Sequence, residues 1–91
     1  MTFLRRVEQF VHTPKWHEIE PPVDFVEQAY AAGLVPGTGT VRFYVEAGYT
    51  RATLNGTVGG RRQRFEGLGL TDEQAGQRLL AELRKASTTW T

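Results

Sequence analysis

Arg42, Tyr44, Tyr49, Arg51, Asn55, Arg62 and Arg64 carry the chemistry that stands out in this chain. Arginine pairs bidentately with guanine and asparagine with adenine, and both contact phosphate. Tyrosine rings can stack on single-stranded bases. Catalysis is a poorer fit, because it needs a nucleophile or base held by a partner. The only serine is Ser87, near the C-terminal end. His12 and His17 are five apart in a predicted connector, whereas two metal ligands on one helix face sit three or four apart. His17 beside Glu18 and Glu20 reads as a solvated loop. Gly37-Thr38-Gly39 lacks the length and the lysine of a phosphate-binding loop. Gly67-Leu68-Gly69 precedes a helix, but Asp72 and Glu73 stand where an anion would bind. No motif calls for a cofactor or metal, and the expectation is a non-enzymatic protein.

Composition narrows the field further. The chain has 91 residues, 40% of them hydrophobic and 23% charged, which suits one modest globular core. It contains no cysteine, so disulfide scaffolds, zinc fingers, iron–sulfur sites and thiol nucleophiles are excluded. The net charge of +1 demands no polyanionic partner, but its distribution is uneven. Residues 1–36 are acidic on balance. In residues 40–66 the five cations are all arginine, against Glu46 and Glu66. The arginine usage of a GC-rich genome is the plain alternative to a binding role. No apolar run approaches the ~20 residues that cross a bilayer, and the N-terminus does not read as a secretory signal. The expectation is a cytoplasmic protein without a membrane partner.

The elements that must position these residues follow from hydrophobic spacing. Phe3, Leu4, Val7, Phe10 and Val11 predict an amphipathic helix at 2–11, which could also pack on a second copy. Residues 12–20 read as a polar connector. Pro21-Pro22 opens a second helix with Val23, Val26, Ala29 and Tyr30 as its apolar stripe, capped by Gly33. Three strands follow. A turn at Ala47-Gly48 places Glu46 opposite Tyr49, and one at Gly59-Gly60 places Asn55 opposite Arg64. Both turns then agree on one inner face of Val41, Phe43, Val45, Ala52, Leu54 and Phe65. A rival turn at Asn55-Gly56 would spoil that agreement. The capping residues Thr71 and Gln74 start a last helix buried through Ala75, Leu79, Leu80, Leu83 and Ala86, and 87–91 reads as a tail.

The expected fold is therefore α+β, one domain over 1–91: a helical part at 1–36, then three strands and a helix over 40–86. The order is α-α-β-β-β-α, a three-stranded antiparallel sheet with helices packed on one face. The other face is left open, and on it the register puts the seven residues named at the outset with Glu46, Thr53, Thr57 and Glu66.

The stretch from Val41 to Leu83 resembles the three-stranded arm-site-binding domain of phage tyrosine recombinases and the plant ethylene-response DNA-binding domain. The shared pattern is two hairpins, the arginine-rich strand Arg61-Arg62-Gln63-Arg64-Phe65-Glu66-Gly67, and the helix start Thr71-Asp72-Glu73-Gln74-Ala75. The resemblance implies a sheet face lying in the DNA major groove through Arg42, Tyr44, Arg51, Arg62 and Arg64. The chain also resembles double-stranded RNA-binding domains through Gly67-Leu68-Gly69-Leu70-Thr71, Ala75 and Leu79-Leu80. Asp72, Glu73 and Gly76 stand where that family has its lysine clamp. The expected partner is nucleic acid, DNA ahead of RNA. The alternative is a protein–protein module such as a small phage inhibitor or adaptor, anchored by Trp16 and Trp90, since tryptophan dominates interface hot spots.

Overall fold

Two tight turns set the register of the sheet. The computed structural model describes residues 16–89; the helix predicted at 2–11 and Trp90 lie outside them. The described elements are β1 (His17–Ile19), α1 (Phe25–Ala32), β2 (Thr40–Glu46), β3 (Tyr49–Val58), β4 (Arg61–Gly69) and α2 (Asp72–Thr89). The strands form one antiparallel sheet in the order β1-β2-β3-β4. Ala47 and Gly48 have φ of 41° and 86°, and Gly59 and Gly60 have 61° and 80°. Positive φ at both central residues matches the right-handed twist of flanking strands, so each turn closes a two-residue hairpin. Glu46 lies opposite Tyr49, Asn55 opposite Arg64, and Leu54 opposite both Val41 and Phe65, in the register derived from the sequence. Asn55-Gly56 is no turn: Gly56 sits within β3, where a Cβ would come 2.4 Å from the Leu34 side chain.

The sheet has four strands rather than the expected three, and the described order is β-α-β-β-β-α rather than α-α-β-β-β-α. The added strand lies inside the stretch read as a connector. At three residues, with Ile19 its one aliphatic side chain, β1 carries too little pattern to be seen alone. It forms because the backbone edge of β2 otherwise stays unpaired. His17 pairs with Val45, Glu18 with Tyr44 and Ile19 with Phe43, and Ile19 packs against the core.

The stripe of α1 also differs from expectation. Its buried residues are Phe25, Ala29 and Ala32, while Val23 is 97% exposed and Val26 and Tyr30 face outward. Phe25 wins because its ring meets Phe43 edge-on, with centroids 5.0 Å apart at 84°, and an aromatic pair buries more than a valine. The helix ends in a Schellman cap, with Gly33 N–H donating to the Tyr30 carbonyl and Leu34 N–H to the Ala29 carbonyl. Leu34 then bridges to Val58.

The core lies between the sheet and both helices, around Phe43, Leu54, Val58, Leu79, Leu80 and Leu83. Val41 and Val45 are only half-buried. In α2, Thr71 Oγ1 accepts from Gln74 N–H, and Gln74 Oε1 accepts from Leu70 N–H. The helix continues through Thr89, so most of the expected tail is helical. It lies directly on β4, because Gly67 and Gly69 present bare backbone to it. A Cβ on Gly67 would sit 2.3 Å from the Ala75 carbonyl oxygen. Gly76 similarly makes room for the Phe25 ring. No helix among the described residues is long and apolar enough to cross a membrane.

Candidate nucleic-acid interface

With the helices on one face, every other residue of each strand points to the opposite, open face. Directly opposed residues share that face. Glu18, Tyr44, Arg51 and Leu68 thus form one row across β1 to β4. Arg42, Thr53 and Glu66 form the next, followed by Thr40, Asn55 and Arg64, then Thr57 and Arg62. Arg42, Tyr44, Tyr49, Arg51, Asn55, Arg62 and Arg64 therefore stand on one surface.

That surface is divided along the strands. The end beside the β2–β3 turn is aromatic and apolar, and it includes Trp16, the residue before β1. Trp16, Glu46, Ala47, Tyr49 and Leu68 line one shallow depression there. Tyr49 is 56% exposed and Leu68 48% exposed. The far end carries Thr40, Asn55, Thr57, Arg62 and Arg64 and has no large apolar side chain.

Between the two ends lies a second depression of about 180 Å³, lined by Trp16, Tyr44, Arg51, Thr53 and Arg64. Thr53 is 7% exposed although it belongs to the open face, so its neighbours rise around it. The Arg51 guanidinium is the fixed part. Its Nε donates to Glu66 Oε2 at 2.6 Å, its second terminal nitrogen lies 2.5 Å from the same oxygen, and its Cζ lies 6.0 Å from the Trp16 ring centre. Such a cation–π contact holds the indole over the sheet.

Among the described residues, Arg51 alone of the four arginines on this face is ion-paired. Arg62 donates to the Thr38 carbonyl at 3.0 Å and keeps its other donors. Tyr44 first, through a hydrogen bond, and then Glu18 raise the pKa of Arg42 above its ordinary value. Glu46 forms no ion pair among the described residues, whereas Glu66 does. No group of acidic or histidine side chains suited to a metal occurs among them.

The sequence places Trp16 on a different candidate surface from the arginines and tyrosines; the fold brings them together. Leu68 joins the open face, as the Gly59-Gly60 register requires by setting it opposite Arg51. Trp90 lies outside the described residues. No protein-family model, curated protein or solved structure matches this chain.

Proposed function

We propose that this is a non-enzymatic nucleic-acid-binding protein whose open sheet face holds a single strand. The observation that carries this reading is the division of one face into an aromatic end, Trp16, Tyr44 and Tyr49, and an arginine end, Arg62 and Arg64. Aromatic rings stack bases whatever their sequence, and arginines track the phosphates. The fourth strand bears on the kind of nucleic acid. Neighbouring strands lie about 4.8 Å apart, so four span roughly 14 Å between outer axes. The major groove is about 12 Å wide and admits a helix or a two-stranded ribbon. Duplex insertion, as the recombinase-type resemblance implies, suits this widened face less well than a splayed single strand does.

The test is tryptophan fluorescence on a Trp90→Phe background, which leaves Trp16 as the sole indole. Titration with a single-stranded oligonucleotide should quench Trp16. Unchanged emission at low salt through saturating oligonucleotide would overturn the reading.

A protein partner is the second reading, favoured by one observation. The face carries four arginines against Glu18, Glu46 and Glu66, a surplus of one positive charge, and its aromatic end exposes Leu68. Trp16, Tyr49 and Leu68 would then be the buried anchors.

A further inference from the structure

Strand β4 is nine residues long and, among the described residues, pairs only with β3. The two-residue hairpin decides which backbone groups are left over. Val58 and Arg61 close it as a hydrogen-bonded pair, so Gln63, Phe65, Gly67 and Gly69 also turn their N–H and C=O toward β3. Arg62, Arg64, Glu66 and Leu68 turn theirs outward. The Leu68 carbonyl accepts from Arg78 at 2.7 Å, as an outward group should. Beside this edge runs a groove between β4 and α2, lined on the helix by Arg78, Ala81 and Glu82.

Natural proteins blunt such an edge with charge, and like charges along β4 would do that. The pattern here is Arg62, Arg64, Glu66, which is self-complementary in one register. Pairing two copies antiparallel about Arg64 sets Arg64 against Arg64 of the other copy. Pairing them about Glu66 sets glutamate against glutamate. Pairing them about Phe65 sets Arg64 against Glu66 twice and Arg62 against Leu68 twice, with no like charges opposed; each Glu66, held by its own Arg51 through Oε2, then offers its other oxygen to Arg64 of the other copy. The residues so paired are the ones whose backbone groups face outward, so the same register satisfies the hydrogen bonds once Arg78 yields the Leu68 carbonyl to the other copy. It also brings the two Phe65 side chains, at the rim of each core, side by side on the helix-covered face.

We propose that β4 is a dimerisation edge, where a second copy of this chain pairs antiparallel about a two-fold axis at Phe65. The two sheets become one of eight strands, and their open faces become continuous. The inference does not rest on what that face binds, although Arg64 takes part in both.

The chain has no cysteine, which makes the register directly testable. Cα atoms of a hydrogen-bonded antiparallel pair lie about 5.5 Å apart, within disulfide range. Arg64→Cys and Glu66→Cys chains are mixed and oxidised. The mixed disulfide should exceed its statistical half-share, since that dimer also keeps one Arg64–Glu66 pair. In sedimentation, the unmodified protein should approach twice the monomer mass as concentration rises. Arg64→Glu should weaken association by roughly tenfold, with its circular-dichroism melt unchanged. A chain monomeric at every concentration would overturn the proposal, as would predominance of either homodisulfide or a statistical mixture.

Discussion

At the scale of single residues, arginines that look alike in the sequence stand in different surroundings. Arg51 is held by Glu66 and Trp16, while Arg42, Arg62 and Arg64 have no carboxylate at ion-pair distance among the described residues. Three arginines meeting phosphates of a single strand give a log–log salt slope of about −2, at roughly 0.7 per phosphate. Arg62→Ala/Arg64→Ala should bring that slope to about −1 or shallower, read by titrations at several salt concentrations. An unchanged slope would mean the phosphates lie elsewhere. Trp16→Ala should cost about 1–3 kcal/mol of binding and little stability, because Trp16 is only partly buried on the open face. A large loss of stability with unchanged binding would make it a core residue instead. The alternation Trp16-His17-Glu18-Ile19 did hold the clue to its position, with 16 and 18 on one side and 17 and 19 on the other. That clue is faint, because a three-residue strand has no hydrophobic run. Leu68 is obscured for the opposite reason: an apolar residue invites burial, and only the register says otherwise.

At the scale of elements, the hairpins and the first described helix with its Gly33 cap were legible, and that helix's buried stripe was not. A two-residue turn leaves one register, and a register fixes the facing of every residue on both strands. The α1 stripe expected from the sequence, Val23, Val26, Ala29 and Tyr30, and the observed one, Phe25, Ala29 and Ala32, share Ala29 and are both at helical spacing. Only the ring opposite, Phe43, decides between them. The close seating of α2 on β4 makes a sharp prediction. Gly67→Ala forces a Cβ against the Ala75 carbonyl and the Leu79 amide, backbone atoms that cannot rotate away. It should destabilise the fold by about 3 kcal/mol, the upper range for overpacking, in urea denaturation; wild-type stability would contradict that seating. Ala47 predicts the reverse. It holds φ of 41° in the β2–β3 turn, a conformation costing about 1–2 kcal/mol for a residue with a Cβ. Ala47→Asn should therefore raise stability by up to about 1 kcal/mol, since asparagine tolerates that region. A lower denaturation midpoint would mean the turn is not as described.

At the scale of the whole molecule, a net charge of +1 cannot by itself draw the chain to a polyanion. The concentration of arginine on one end of one face is what supports binding, and stacking at the other end must share the affinity. Dimerisation through β4 would join two such faces and double the footprint without new contacts to each strand. The fold class followed from the pattern of strands and helices, but the strand count did not. That difference matters for function, because the fourth strand is what brings Trp16 onto the open face and widens it. The most direct measurement is fluorescence anisotropy with labelled single strands, duplex DNA and duplex RNA, for the unmodified protein and for Arg62→Ala/Arg64→Ala. Single strands should bind more tightly than either duplex, weaken with salt, and weaken further in the variant. Absence of binding to every nucleic acid at low salt would contradict the account, and so would duplex binding equal to or tighter than single-strand binding.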